Sequence, residues 1–219
     1  MLQQLYQQLA ELYELDAPHR IEDFLITDPA LAGPLRAATG QSAREQLFVR
    51  EGERRLDVTL FLDRSVLANL KPANSVAELT RSEINDYWLA IEGISHFLYL
   101  TWRGGYEREL TQLEMELQAE IDKYLCCCLS MPGLPLPGGR LDQWLPRLHH
   151  ILFEQTVIET GDDPGRTERY ATANRYAARY CRALLPRLRQ EPSLGLVNEL
   201  RRFYRLSQSE KLRRIDGLH

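Results

Sequence analysis

The stretch TRSEINDYWLAIEGISHFLYLTWRGGYERELTQLEMELQAEIDKYLCCCL, residues 80–129, decides the fold. Thr80 and Glu83 have capping-box spacing, in which each side chain satisfies a backbone N–H left open at a helix start. Ile84, Tyr87, Trp88, Ile91, Ile94, Leu98 and Trp102 then recur at helical period on one face. Leu89, Phe97 and Leu100 lie on the opposite side, so the helix is apolar nearly all round and needs cover from several directions. Gly104 and Gly105 end it, since glycine adopts the left-handed cap at little steric cost. A second helix opens near Glu107 and Glu109, where acidic groups meet the positive end of the dipole. Its apolar face is Leu110, Leu113, Leu117, Ile121, Tyr124 and Cys128, and Pro132-Gly133 closes it. Two such stripes across a short connection predict an antiparallel αα-hairpin.

Working outward, residues 45–63 carry the one β pattern. Leu56, Val58, Leu60 and Leu62 alternate with Asp57, Thr59, Phe61 and Asp63, after Leu47-Phe48-Val49 and a turn at Glu51-Gly52. Period two around a tight turn predicts a β-hairpin with one buried face. Two strands alone are marginal in water, so the hairpin must pack on helices, find a third strand or pair with another chain. Amphipathic helices are expected at 1–15, ended by Pro18, and as further turns at 21–26 and from Asp28-Pro29 to Gly33-Pro34. Beyond the hairpin they are expected at 142–160, 166–189 and 194–206, and from the capping pair Ser207/Glu210 to Ile215. MPGLPLPGGR at 131–140 is the best place for a sub-boundary. The fold expected is a mainly α, single-domain helical bundle, residues 1–219, around the central αα-hairpin, with the β-hairpin packed on it.

Composition bounds the function. A chain of 219 residues, 44% hydrophobic and 26% charged, is an ordinary globular protein with enough length for a large core. No apolar run reaches membrane-spanning length and the N-terminus does not read as a signal peptide, so a cytoplasmic location is expected. Cys126, Cys127 and Cys128 are consecutive and Cys181 stands alone. Neighbours on a helix point about 100° apart, which makes them poor disulfide partners, and no CxxC pair suggests zinc. They read as small apolar filler.

Charge is polarised along the chain. Residues 161–219 hold 13 basic and 7 acidic residues, a net of +6, within a chain of net −4. All but Lys71, Lys123 and Lys211 of the 27 basic residues are arginine, a bias that a GC-rich genome alone produces.

Two constellations carry chemistry. The central helix has a polar stripe, Asn85, Glu92, His96 and Arg103, with Tyr99 beside it. It reads first as a structural network and second as a small-molecule or catalytic site, with Glu92 tuning His96 as a base. The other is a basic face: Arg175, Arg179 and Arg182 interleaved with Tyr176 and Tyr180, then Arg201, Arg202, Arg205, Arg213 and Arg214. It suits an acidic protein or a nucleic-acid backbone. Metal ligation has little pattern behind it. Glu92/His96 and His150/Glu154 are at i, i+4, Glu114 and Glu120 merely flank an apolar stripe, and neither Glu-x-x-His nor HExxH occurs. No nucleophile elbow, phosphate loop or dinucleotide fingerprint occurs either.

The sequence therefore predicts no metal, no cofactor and no catalytic set. The leading expectation is a non-enzymatic protein–protein interaction protein, an adaptor or accessory subunit of a larger bacterial-type assembly, whose partner offers an acidic or apolar surface. The alternatives are an enzyme or small-molecule binder at Glu92/His96 and a nucleic-acid binder at the C-terminal helices.

Overall fold

The computed structural model describes residues 1–37, 43–52, 56–70, 79–104, 110–129, 140–155, 164–189 and 194–218. Among them the chain is mainly helical, with one small three-stranded sheet. Its packing divides into two compact units, Met1–Glu11 with Leu15–Glu109 and Leu12–Glu14 with Leu110–His219. The two helices expected to form the central hairpin lie one in each unit. The Pro/Gly stretch at 131–139 and the α4–α5 connection at 105–109 lie outside the described residues.

The first unit contains most of α1 (Leu2–Tyr13), a 3-10 turn (Ile21–Phe24), β1 (Leu25–Ile26) and α2 (Pro29–Ala37). It continues with β2 (Glu45–Glu51), β3 (Leu56–Leu62), α3 (Arg64–Asn69) and α4 (Arg81–Gly104). β2 and β3 pair antiparallel with Leu47 opposite Leu60, as the alternation implies. The third strand is β1, parallel to β3, in a segment that the sequence reads as helical. Leu25 and Ile26 are apolar and short, and they satisfy the edge that β3 would otherwise leave open.

That extra strand changes the burial. Leu60, Phe61 and Leu62 are all fully buried, so the sheet has two covered faces at this end instead of one. Phe61 meets Ala32, Phe48 and Ile26 on one side, with the Arg36 guanidinium 4.2 Å over its ring. The same Arg36 donates to the Ala43 carbonyl, and α2 runs on through Gly33-Pro34 to Ala37 instead of stopping there. Leu60 faces α4 on the other side.

α4 is the core of this unit. Its capping box forms: the Thr80 N–H donates to Glu83 Oε2 at 3.0 Å and the Glu83 N–H to Thr80 Oγ1 at 3.3 Å. The sheet covers one side at Gly93. Asn69 of α3 donates to Asp86 on another. On a third, Tyr6 and Phe24 close over Phe97 at ring distances of 5.9 and 4.9 Å.

The second unit holds α5 (Gln112–Leu129), α6 (Arg140–Phe153), α7 (Pro164–Leu188), α8 (Leu194–Arg205) and α9 (Gln208–Asp216). α5 begins at Gln112, later than Glu107 suggests, because Thr111 caps it by accepting from the Glu114 N–H at 3.1 Å. α5 packs most closely on α7. Ala173, Ala177 and Cys181 give α7 small buried residues one turn apart, which lets two helix backbones approach. α8 turns Leu196, Leu200, Phe203 and Tyr204 inward, with Phe203 stacked on Tyr180 at 3.9 Å. Ser207 and Glu210 form the expected capping box of α9.

The end of α1 needs a particular device. Glu14 sits at φ 53°, the left-handed region that glycine usually fills after a helix. Arg201 holds it, donating to Glu14 Oε2 and to the Leu12 carbonyl, each at 3.0 Å, and Arg205 donates to the Glu14 carbonyl at 3.2 Å.

Phe97 is fully buried against three aromatic rings, Tyr6, His19 and Phe24. Phe97→Ala is expected to destabilise the chain by about 3–5 kcal/mol in urea denaturation. A cost below about 1 kcal/mol would contradict this packing.

Candidate functional site: a Glu-Glu-His cluster and two buried polar networks

The polar stripe of α4 separates into three parts. Asn85 is exposed. Tyr99 and Arg103 form a buried pair, with Arg103 Nη2 donating to Tyr99 Oη at 3.0 Å and the guanidinium 4.8 Å over the Trp102 ring. Glu92 is eleven residues from Arg103, a rise of about 16 Å along the helix, too far for those two to pair directly. Glu92 and His96 instead meet a residue from the sheet.

That residue is Glu45, the first of β2. It pairs opposite Leu62, and residues opposite each other in an antiparallel pair share a face. Glu45 therefore points, like Leu60, at α4. Gly93 lets it in: a Cβ there would lie 2.9 Å from Leu60 Cδ1 and 3.2 Å from both Glu45 Cγ and Glu45 Oε1. The result is three side chains whose ligand atoms all lie within 4.8 Å of one another: Glu45, Glu92 and His96. Glu45 and His96 are buried and Glu92 is half-buried. His96 Nδ1 stands 3.7 Å from Glu45 Oε1.

The start of β2 is anchored beside this cluster. Arg44 pairs with the buried Asp86 at 2.7 Å, and Asn69 Nδ2 donates to the other Asp86 oxygen at 2.6 Å. The sequence reading names Asn85 and passes over its neighbour Asp86. It misses Glu45 as well, since a glutamate at the start of a strand gives no sign of facing a helix that begins 36 residues later.

A second network lies in the other unit and was also missed. Lys211 is fully buried, and its Nζ donates to Gln118 Oε1 at 2.7 Å. Gln118 Nε2 donates to Asp122 Oδ1 at 2.9 Å and to the Tyr13 hydroxyl at 3.1 Å. Tyr13 in turn donates to Asp122. Burial, then the Asp122 charge, push the Tyr13 phenol well above its ordinary pKa, so it stays a donor. The Lys211 ammonium also lies 5.3 Å from the Phe203 ring centre and 5.7 Å from that of Tyr204, a cation–π setting. The one visible signal was Gln118 and Asp122 at i, i+4 on α5.

The remaining candidates resolve into structure. Glu114 is buried and Glu120 pairs with Lys123 at 2.5 Å. His150 pairs with Glu154 at 2.7 Å on the surface. His149 is buried, where the sequence left it as readily on the surface, with Nε2 donating to the Ala178 carbonyl at 2.9 Å. Cys126, Cys127, Cys128 and Cys181 are buried free thiols. Burial raises the pKa of Cys126, Cys128 and Cys181, which keeps them protonated and unreactive.

Four arginines of the basic face pair with carboxylates. Arg179 pairs with Asp216, Arg182 with Glu154, Arg201 with Glu14, and Arg214 with both oxygens of Glu199. Arg205 caps the carbonyls of Glu14 and Arg201, and Arg175 lies 5.6 Å from the Tyr176 ring. Among the described residues Arg202 and Arg213 have no carboxylate partner, although Arg213 Nε reaches the Ser209 carbonyl at 3.3 Å. Both line a groove of about 310 Å³ on α8 and α9, with Glu199, Phe203, Leu206, Glu210 and Arg214.

No family model, no curated protein and no solved structure matches the chain. No helix among the described residues is long and apolar enough to cross a membrane.

His149 gives the fold a pH dependence. Burial lowers its pKa below the ordinary 6.5, Arg182 adds to this, and the Ala178 bond only partly opposes it. The unfolded chain therefore takes up a proton between 6.5 and the depressed folded value, and the folded chain does not. Stability is full above pH 6.5 and falls below it, by at most about 1.4 kcal/mol per pH unit for one proton. Melting from pH 7 to pH 5 is expected to show a smaller drop in His149→Gln than in the native chain. An identical slope would contradict this assignment.

Proposed function

We propose that this chain is a non-enzymatic interaction protein, a cytoplasmic adaptor or accessory subunit, which holds an acidic and apolar segment of a partner protein in the α8–α9 groove. One observation carries the reading: the groove is lined by the apolar Phe203 and Leu206 together with Arg202, Arg213 and Arg214. Its acidic members are already engaged. Glu199 is held by Arg214, and Glu210 accepts from the Ser207 N–H and hydroxyl at the α9 cap. The charge left in the lining is positive, from Arg202 and Arg213. A carboxylate flanked by an aromatic or aliphatic side chain complements both these charges and the apolar lining.

A nucleic acid fits less well. A phosphate backbone requires a stripe of available cations, and Arg179, Arg182, Arg201 and Arg214 already pair with carboxylates. The net charge of −4 also opposes its approach.

Fluorescence anisotropy with a labelled peptide alternating Asp or Glu with Leu or Phe tests the reading. A scrambled basic peptide and a single-stranded DNA of matched charge serve as competitors. The acidic peptide is expected to bind, and Arg202→Glu with Arg213→Glu to weaken it at least about tenfold, or 1.4 kcal/mol. Tighter binding of the DNA, with a steep salt dependence, or peptide binding unchanged in the double variant, would overturn it.

A further inference from the structure

We propose that Glu45, Glu92 and His96 form a binding site for one divalent first-row transition-metal ion such as Zn²⁺ or Mn²⁺. The proposal is independent of the groove, whose residues all lie elsewhere in the sequence.

Geometry is the first support. Two ligands bound at about 2.05 Å to one tetrahedral ion stand about 3.4 Å apart. His96 Nδ1 and Glu45 Oε1 are separated by 3.7 Å, too far for a hydrogen bond and close to what a shared ion imposes. All three ligand atoms fall within 4.8 Å of one another, so small side-chain rotations bring them onto one centre.

Gly93 is the second. It is a helix-interior glycine, a position that costs roughly 1 kcal/mol relative to alanine. A Cβ there would stand 2.9 Å from Leu60 Cδ1 and 3.2 Å from Glu45 Oε1, so the glycine eases the close approach of both side chains to α4.

Charge is the third. Two carboxylates, one buried and one half-buried, flank one imidazole at a helix–sheet interface, a donor set whose charge and ligand types match a divalent cation. A divalent ion neutralises both carboxylates and takes a neutral imidazole as its third ligand.

The donor set selects the ion. Imidazole nitrogen with two carboxylates suits Zn²⁺, Mn²⁺, Fe²⁺ or Co²⁺, whereas Ca²⁺ and Mg²⁺ prefer oxygen alone. Three protein ligands leave at least one position for water. The half-buried Glu92 is the solvent-facing member of the set.

The test uses the full chain, stripped with chelator and titrated with Co²⁺, read by its visible ligand-field bands and by metal content after desalting. One Co²⁺ per chain is expected, displaced by Zn²⁺ but not by equal Mn²⁺ or Mg²⁺. Glu92→Gln is nearly isosteric and only half-buried, so the fold survives, and circular dichroism verifies this. It is expected to weaken binding at least about tenfold, since losing even an outer-shell partner costs that much. His96→Gln should do the same, and His150→Ala, which alters the surface His150/Glu154 pair, should leave binding unchanged. Absence of stoichiometric binding to the native chain, equal binding in folded Glu92→Gln, or loss through His150→Ala would each overturn the proposal.

Discussion

The first unit turns on the contact of one glycine with a strand. Gly93 brings α4 so close to β3 that Leu60 Cδ1 would stand 2.9 Å from a Cβ at that position. This proximity sets the depth of the sheet against the helix. The depth places Glu45 beside His96, and the register of β2 on β3 follows from the same face being buried. The Arg44–Asp86 pair and the Asn69–Asp86 bond tie the start of β2 and the end of α3 to α4, about two turns before the glycine. The strand end, the short helix and the cluster are thus consequences of one close approach.

The second unit relies on the opposite strategy, a buried polar network inside a helical core. Lys211, Gln118, Asp122 and Tyr13 link α9, α5 and the last turn of α1 by hydrogen bonds of 3.1 Å or less. Such a network adds little net stability compared with an apolar core, but it tolerates only one arrangement of its donors and acceptors. It fixes where α9 sits, and hence where the α8–α9 groove opens. The Arg201 and Arg205 contacts to Glu14 add to this by holding a left-handed residue in place.

Much of the fold was legible in the sequence because it is written in local chemistry. The capping pairs Thr80/Glu83 and Ser207/Glu210 and the apolar stripe of α4 act within a few residues, and all appear as expected. The β2–β3 pairing is nearly as local, and its alternation predicts it. What was illegible depends on distant partners. Leu25-Ile26 becomes a strand against the edge that β3 offers, and α2 runs past Pro34 in a segment whose Arg36 lies over the distant Phe61 ring. The site was half visible for the same reason. Glu92 and His96 share a helix face and declare themselves, while Glu45 joins them through sheet register, and Lys211 carries no mark of burial in its neighbourhood. Charge counts along the chain also cannot show that four arginines of the basic face pair with carboxylates distant in sequence.

Gly93→Ala provides the most direct measurement of the central contact, because two effects of opposite sign compete there. In an open helix interior the substitution stabilises by about 1 kcal/mol through helix propensity. Against Leu60 and Glu45 it overpacks, at a typical cost of 1–3 kcal/mol. Chemical denaturation of the full chain is expected to show Gly93→Ala less stable than the native protein. A variant equal to it or more stable would contradict the close approach on which the Glu45–Glu92–His96 cluster depends.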